Sequence, residues 1–251
     1  MGLSTATAAR WVERWESQQQ RYAIDREERF TVIADVVEQT TTGQADPLIV
    51  DLGCGPGALA ARLADRLPQA EVLAVDADPL LLELGRVSHG SAIRYIEATI
   101  GEPGWLGALS LDRPLDAAVS ATALHYLGER TLRRVYRQLA AVLRPGGVLI
   151  NGDHICPGGV RISGLATDVG RRRAGRQAAF AHEDWESWWA AAGADPDLAD
   201  LLAARHSRPL PHCEGNDLTL AGHIALLREA GFEDAGPVWQ FGHSHVLVAV
   251  R

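Results

Sequence analysis

The chain contains no lysine among its 251 residues, so all 24 of its permanently basic side chains are arginines. This absence excludes catalysis through a Schiff base or a lysine general base. Three cysteines, Cys54, Cys156 and Cys213, do not make a disulfide framework. No apolar run approaches the length of a membrane span, and the start of the chain lacks the charged and apolar stretches of a secretory signal. We therefore expect a cytoplasmic protein with no membrane partner.

A strongly basic surface is also missing. The formal net charge is -8, which disfavours nucleic acid as a partner because nucleic-acid binders usually present a basic face. The densest basic segment is Arg171–Arg173 with Arg176, and the solvated side of a helix explains it most simply. Charged residues make up 22% of the chain and hydrophobic residues 47%, proportions of an ordinary globular protein. The length suits one α/β core with an embellishment.

Short apolar runs alternate with helical patterns from Leu48 onward. Continuous apolar runs closed by glycine or polar residues are typical of strands buried on both faces. Strands are predicted at 48–52, 71–76, 92–97, 115–120 and 148–152, and helices at 58–67, 79–87 and 132–143. Strands separated by helices of this length imply βαβ units and a mostly parallel sheet.

Three further segments surround this pattern. Apolar residues at helical spacing predict two N-terminal helices with a polar link at 17–20. No convincing strand occurs between His154 and residue 215, and this alanine-rich and arginine-rich segment predicts inserted helices. A helix at 218–230, an extended segment at 232–239 and a strand at 245–250 complete the pattern, and the last two strands should be antiparallel.

The predicted fold class is therefore α/β, with a doubly wound, mostly parallel seven-stranded sheet whose last strand is antiparallel. The predicted division has four parts. Residues 1–42 form an N-terminal helical lid, 43–154 the ligand-binding core, 155–215 a helical cap insertion, and 216–251 the helix and strand pair that complete the core.

The strongest chemical signal is the segment DLGCGPG at 51–57, where the first predicted strand ends. Its glycines permit a sharp turn into a helix and let a ligand approach the backbone amides. The next strand ends at Asp76, where a carboxylate can accept both hydroxyls of a ribose. A glycine loop followed at this spacing by an acidic residue indicates a nucleoside-containing ligand.

These motifs resemble those of class I S-adenosylmethionine (SAM)-dependent methyltransferases. The first motif of that family, an acidic residue followed by Gly-x-Gly-x-Gly, is matched by Asp51, Gly53, Gly55 and Gly57. The resemblance continues in VDAD at 75–78, DAAVS at 116–120, LRPGGVL at 143–149 and AGF at 230–232. It implies a Rossmann-like core with SAM as cofactor and S-adenosylhomocysteine (SAH) as product.

The resemblance also implies cofactor contacts. The glycine loop would hold the methionine part, Asp51 would lie near its ammonium, directly or through water, Asp76 would bind the ribose, and Ala77 would lie against the adenine. Thr99 stands where the family often has an acidic residue, so its hydroxyl and the Ile100 amide would contact the adenine instead. The full predicted set is Tyr22, Arg26, Asp51, Gly53, Cys54, Gly55, Gly57, Asp76, Ala77, Thr99, Ile100, Ser120 and His125, with Tyr22 and Arg26 closing over the cofactor carboxylate.

Catalytic candidates follow the fourth and fifth strands, because open α/β sheets bind ligands at the carboxyl ends of their strands. Methyl transfer needs an aligned acceptor and, for a protonated acceptor, a base. His154 is the preferred base, with Asp153 beside it, while a packing role beside the cofactor explains His125 slightly better than proton transfer. The predicted substrate-pocket residues are Trp11, Trp15, Trp185, Trp189 and His212, although cap packing also explains the tryptophans.

The predicted function is SAM-dependent methyl transfer to oxygen or nitrogen of a small molecule by a monomer or homodimer. No metal is expected, because the spacing around His212 matches no standard zinc pattern. Alternatives are a SAM cyclase or lyase, a protein that only binds SAM, and a nucleic-acid methyltransferase. The last lacks its usual Pro-Pro-aromatic motif after the fourth strand. A dehydrogenase is weakened because no separate catalytic domain follows the glycine loop.

Overall fold

The computed structural model describes residues 2–208 and 214–251. Within these ranges the strands are β1 (Leu48–Leu52), β2 (Glu71–Asp76), β3 (Ile93–Glu97), β4 (Leu115–Ala121), β5 (Leu143–His154), β6 (Asp234–Phe241) and β7 (Ser244–Val250). The α-helices are α1 (Thr5–Tyr22), α2 (Arg26–Thr40), α3 (Ala58–Arg66), α4 (Pro79–His89), α5 (Trp105–Ala108), α6 (Glu129–Val142), α7 (Val160–Arg176), α8 (Trp185–Ala194), α9 (Ala199–His206) and α10 (Leu220–Ala230). No helix in this part of the chain is both long and apolar enough to cross a membrane.

The strands form one seven-stranded sheet in the order β3-β2-β1-β4-β5-β7-β6. β1 to β5 are parallel to one another, and β7 pairs antiparallel with both β5 and β6. The predicted fold class is confirmed. Strand order reverses between β1 and β4, so the chain leaves these two neighbours in opposite directions and opens a crevice at their carboxyl ends. The glycine loop at 51–57 and Asp76 lie at this edge.

Several element boundaries differ from the sequence prediction by one to three residues, and two differ by more. The polar link predicted at 17–20 is wrong, because α1 continues to Tyr22 and its break comes only before α2. Gln18 lies on the buried face of α1 with Trp11 and Trp15, so the glutamine-rich run is helical and partly enclosed. β5 begins at Leu143 rather than at 148, because Leu143 pairs with Leu115 before an irregularity in the register.

Helices cover both faces of the sheet. On one face, Ile33 and Val37 of α2 pack with Leu63 of α3 against β1, β4, β5 and β7. On the other, Tyr136 of α6 and Leu226 of α10 pack against the alternate strand positions. The second helix of the predicted lid is therefore part of the core packing, and α1 alone of that pair lies outside it.

A third cluster joins α1 to the inserted helices. Trp11 and Trp15 of α1, Leu80 and Leu84 of α4, and Trp188 of α8 are all buried there. Apart from a single bridge between residues 156 and 219, the described part of the 155–215 segment is helix and loop, with no strand. Helices α8 and α9 of the insertion thus pack with α1 and α4 over the part of the sheet that carries β2, whereas α7 lies beside β6.

Gly85 in α4 offers a test of the packing below the glycine loop. A β-carbon at this position would lie 2.5 Å from the Pro56 carbonyl oxygen and 2.6 Å from a ring carbon of Tyr95. We expect Gly85→Ala to lower the free energy of unfolding by roughly 1–3 kcal/mol through overpacking, although alanine favours helix more than glycine does.

The matched control is Gly164→Ala in α7, where a β-carbon would meet nothing within 4 Å. That substitution should raise the free energy of unfolding by up to about 1 kcal/mol, because only the helix propensity changes. Urea denaturation of both variants measures the difference. Effects of the same sign would contradict the packing argument at Gly85.

Candidate active site

The glycine loop after β1 has a backbone conformation that requires glycine at three positions. Gly53, Gly55 and Gly57 all have positive φ angles, of 71°, 55° and 88°. A β-carbon on Gly53 would lie 2.3 Å from the Ala123 β-carbon, so the loop packs directly against the turn after β4. The Gly53 amide also donates to the Val75 carbonyl oxygen at 2.8 Å. The backbone is therefore fixed close to the crevice without side chains that would exclude a ligand.

Two carboxylates flank this loop. Asp76 accepts hydrogen bonds from the Gly55 amide at 2.8 Å and the Asp78 amide at 2.9 Å, and burial raises its pKa. Asp51 is buried and accepts a bond from the Ala60 amide at 3.1 Å. Burial and the neighbouring Asp76 carboxylate raise the pKa of Asp51 to about 7. A ligand with ribose hydroxyls and a positive charge suits this pair, because the hydroxyls donate and the charge stabilises both ionised forms.

The other predicted adenosine contacts also lie at the carboxyl edge. Ala77, Thr99 and Ile100 are half-buried at or just beyond the ends of β2 and β3. Ser120 is fully buried, and its hydroxyl donates to the Leu52 carbonyl oxygen at 2.8 Å. The thiol of Cys54 donates to the Gly55 carbonyl oxygen at 3.2 Å. The hydroxyl of Ser120 and the thiol of Cys54 are thus already bonded to backbone.

Helix α1 and the start of α2 bring further polar groups to the loop. Arg26 is buried, forms a 3.4 Å ion pair with Glu16, and has its pKa lowered by burial to about 10. The Tyr22 hydroxyl accepts a hydrogen bond from the Trp185 amide at 2.9 Å, which joins α1 to α8. Gln18 is completely buried, and neither of its amide atoms has a hydrogen-bond partner within the described ranges. Sequence reasoning missed Gln18, because nothing in a run of three glutamines marks one of them as enclosed.

His125 and Asp153 form a hydrogen-bonded pair across the ends of β4 and β5. The His125 Nδ1 lies 2.8 Å from the Asp153 Oδ1, and the His125 amide donates to Oδ2 at 3.3 Å. The Asp153 side chain is buried, whereas 34% of the His125 side chain is exposed. Burial alone would raise the pKa of Asp153, but the hydrogen bond and charge interaction with His125 lower it. Asp153 is therefore an ionised carboxylate that orients an accessible imidazole.

His154 has a different environment. Its amide donates to Asp153 at 2.8 Å, and its side chain retains an exposed surface at the end of β5. Partial enclosure by the surrounding protein, together with the nearby Arg29 guanidinium, lowers the pKa of His154 to about 4. At neutral pH this imidazole is neutral and only weakly basic.

A cavity of about 310 Å³ opens beside the His125–Asp153 pair. It lies between the ends of β4 and β5, the start of α10 and the β6–β7 turn. Asn151 contributes an amide that is 2% exposed and has no hydrogen-bond partner for either atom within the described ranges. The ionisable residues that line the cavity include His125, Asp153, His154, Asp217, His223 and His243. The size is at the lower end of the range for small-molecule sites.

The tryptophans predicted to line the substrate pocket form a cluster away from this cavity. Trp11 and Trp15 of α1 make edge contacts with Trp188 of α8, and Trp185 packs against Trp15 and Trp189. None of these side chains lines the 310 Å³ cavity. The cluster instead lies beside the glycine loop, since the Trp15 indole is 3.5 Å from the position of a β-carbon on Gly55. His212 and Cys213 fall outside the described residues.

The insertion also contacts the loop after β2 through an ion pair. Arg205 of α9 donates to the Asp78 carboxylate at 2.6 Å and stacks over Trp189, with its guanidinium carbon 4.0 Å from the ring centroid. Among residues 2–208 and 214–251, no group of three or more His, Cys, Asp and Glu side chains could hold a metal ion.

Known proteins are similar to this chain in sequence. A family model described as a methyltransferase domain matches residues 49–147. A trans-aconitate 2-methyltransferase of Streptomyces coelicolor is 32% identical over 252 residues, which cover 96% of this chain and 67% of that protein. An uncharacterised methyltransferase of Mycobacterium tuberculosis is 37% identical over 110 residues, which cover 43% of this chain and 51% of that protein. The match thus spans about half the length of this second relative.

A solved structure shows the same fold. The SAM-bound amino pentose methyltransferase of Micromonospora echinaspora aligns with a TM-score of 0.55 and 17% identity, covering 89% of this chain and 90% of that one.

Proposed function

The chain belongs to the class I SAM-dependent methyltransferases, and from this premise we propose that it methylates an oxygen or nitrogen atom of a small molecule bound beside His125. The family resemblance and the SAM cofactor predicted from the sequence are confirmed. The observation that carries the proposal is the accessible imidazole of His125, held 2.8 Å from the buried Asp153 carboxylate at the edge of the cavity.

The protein groups around the glycine loop suit the cofactor. The backbone of Gly53 and Gly55 would hold its methionine part, Asp51 would face the ammonium, and Asp76 would bind the ribose hydroxyls. When bound, SAM supplies a methyl group already activated by a sulfonium. The protein therefore needs no nucleophile of its own and must orient the acceptor, exclude water and remove a proton.

His125 is the base that the geometry favours. An ionised carboxylate only accepts hydrogen bonds, so Asp153 fixes the proton of His125 on Nδ1 and leaves Nε2 free to take a proton from the acceptor. Asp153 also stabilises the imidazolium that forms. His154, the base preferred from sequence, is a weaker candidate because its pKa of about 4 gives little basicity.

Water exclusion is the role we assign to α1 and α8. The tryptophan cluster holds these two helices together beside the loop, and Trp15 lies directly over Gly55. The buried amide of Gln18, one turn after Trp15 on the same face of α1, would bond to polar groups of the cofactor or acceptor. The domain division and the tryptophan pocket predicted from the sequence remain predictions.

Calorimetry and label transfer test the proposed function. We expect SAM and SAH each to bind with one site per chain. Incubation with methyl-labelled SAM and a filtered cell extract should place the label in the small-molecule fraction and release SAH. The tricarboxylate named in the Streptomyces coelicolor relative, trans-aconitate, is a defined acceptor to include.

Each competing activity gives a distinct result. Release of methylthioadenosine would indicate attack within SAM, and label confined to macromolecules would indicate a nucleic-acid or protein acceptor. Binding without any turnover would leave a cofactor-binding protein. Any of these three outcomes would contradict methyl transfer to a small molecule.

A further inference from the structure

The charges around the 310 Å³ cavity point to the acceptor's chemistry. Asp153 is ionised inside the cavity, and the exposed Asp217 lies among the lining residues. No arginine is among the described residues that line it. The Arg29 guanidinium lies on the opposite face of β5, where it donates to the Gly152 carbonyl oxygen at 3.2 Å. A bound carboxylate would therefore lie beside two aspartates, and no guanidinium among the described lining residues would pair with it directly.

Two of the four histidines that line the cavity carry no positive charge near pH 7. Enclosure lowers the pKa of His154 to about 4 and also lowers the pKa of His223, so both are neutral near pH 7. His125 is already paired with Asp153, and the His243 Nε2 lies 3.1 Å from the Ser163 carbonyl oxygen. The thiol of the other ionisable lining residue, Cys156, lies 3.2 Å from the Ser163 hydroxyl and carries no positive charge in either protonation state. Among the residues that the structure describes, the cavity lining thus contains two aspartates and no arginine.

The side chain of Asn151 further restricts which hydrogen-bonding groups the acceptor can carry. Its side chain lines the cavity from β5, is 2% exposed, and leaves both the amide oxygen and the amide nitrogen without partners among the described residues. The oxygen needs a donor and the nitrogen needs an acceptor. A carboxylate can only accept and an ammonium can only donate, whereas a hydroxyl does both. Buried polar groups of this kind are normally hydrogen-bonded, so a ligand hydroxyl is the complement.

We infer that the acceptor is an uncharged molecule with at least two hydroxyl groups, one bound by Asn151 and the other presented to His125; this inference rests on the proposed function. The O–H bond of the reacting hydroxyl breaks and its proton passes to Nε2 of His125. The oxygen forms a bond to the methyl carbon, and the electron pair of the broken S–C bond stays on sulfur. The products are a neutral methyl ether and SAH, with the proton held on His125.

Matched ligand pairs test this inference. The first pair is methyl glucoside and methyl glucuronide, and the second is 3,4-dihydroxybenzyl alcohol and 3,4-dihydroxybenzoate. In each pair the first, neutral member has a hydroxymethyl group where the second has a carboxylate. Ligand-observed NMR with SAH-saturated protein gives the dissociation constants. We expect the neutral member of at least one pair to bind about tenfold or more tightly than its acid, and trans-aconitate not to be methylated.

Variants of Asn151 test whether this residue binds the neutral ligand. Asn151→Leu has a similar volume and loses no protein hydrogen bond, and Asn151→Ala avoids any overpacking. Both should weaken binding of the neutral ligand about tenfold and leave the SAH dissociation constant unchanged. The inference is overturned if the acid member binds as well or better, if neither pair binds, or if both variants bind like the wild type. Failure of SAH binding would instead overturn the proposed function.

Discussion

Replacement of His125 by alanine should lower kcat by about 10²–10⁴-fold, the usual contribution of a positioned general base. The dissociation constant for SAM should stay close to that of the wild type, because the glycine loop, Asp51 and Asp76 are unchanged. Asp153 would lose the partner that holds its pKa low against the effect of burial. Single-turnover kinetics with an identified acceptor, together with calorimetry for SAM, would separate the two effects.

His154→Ala is the matched control, since it removes a second imidazole from the same cavity. Its effect on kcat should be much smaller, because the pKa of His154 of about 4 makes it a poor base at neutral pH. Added imidazole should restore part of the activity of His125→Ala and none of that lost in His154→Ala. If His154→Ala were the slower enzyme, the base preferred from sequence would be correct and our proposal wrong.

The elements of the fold that could be predicted are those marked by residues close together in the sequence. β1 and β2 were located to the residue because each is a short apolar run closed by glycine, aspartate or proline, and these signals need no tertiary information. The glycine loop was equally local. The N-terminal break could not be located from local signals, because residues 17–20 are polar and are typical of a link between helices. The structure shows that α1 continues through them, with Gln18 on its buried face.

The pairing of His125 with Asp153 depends on contacts that sequence spacing does not contain. These residues are 28 positions apart, and they meet because Ala121 of β4 pairs in register with Gly152 of β5 and the following backbone turns His125 toward β5. The unpaired state of Asn151 and the location of the tryptophan cluster are likewise properties of packing. The sequence therefore predicts which edge of the sheet binds ligands, and our proposal of His125 over His154 depends on the structure.

Asp51 should make cofactor affinity depend on pH. Its carboxyl is almost fully buried, and burial with the nearby Asp76 raises its pKa from 3.8 to about 7. The ammonium of SAM favours the ionised form, so binding near pH 6 must first remove a proton. We expect the dissociation constant to rise by up to about tenfold per unit as pH falls below 7. Calorimetry between pH 5.5 and 8.5, roughly one to two units either side of that pKa, measures this.

Asp51→Asn should remove this pH dependence and weaken SAM binding at pH 8 by about 10–100-fold, the value of a charge-assisted hydrogen bond. Its effect on the unfolding of the ligand-free protein should have the opposite sign. Because the folded pKa of Asp51 is raised, the folded state binds more protons between pH 4 and 7, and its stability falls as pH rises through that window. At pH 8 the variant should therefore be more stable by roughly 1–4 kcal/mol, and at pH 4 nearly equal to the wild type.

Asp116→Asn separates a site effect from a general effect of losing a buried carboxylate. Asp116 is also buried, but it lies at the opposite end of the sheet, where it accepts hydrogen bonds from the Leu48 amide at 2.9 Å and from Arg144 at 2.5 Å. Its loss should destabilise the protein, because the Arg144 guanidinium loses its carboxylate partner and keeps only its hydrogen bonds to carbonyl oxygens. The pH dependence of SAM binding should stay intact, because this ion pair lies far from the loop. A wild-type affinity that did not change between pH 6 and 8 would mean that Asp51 does not face the ammonium.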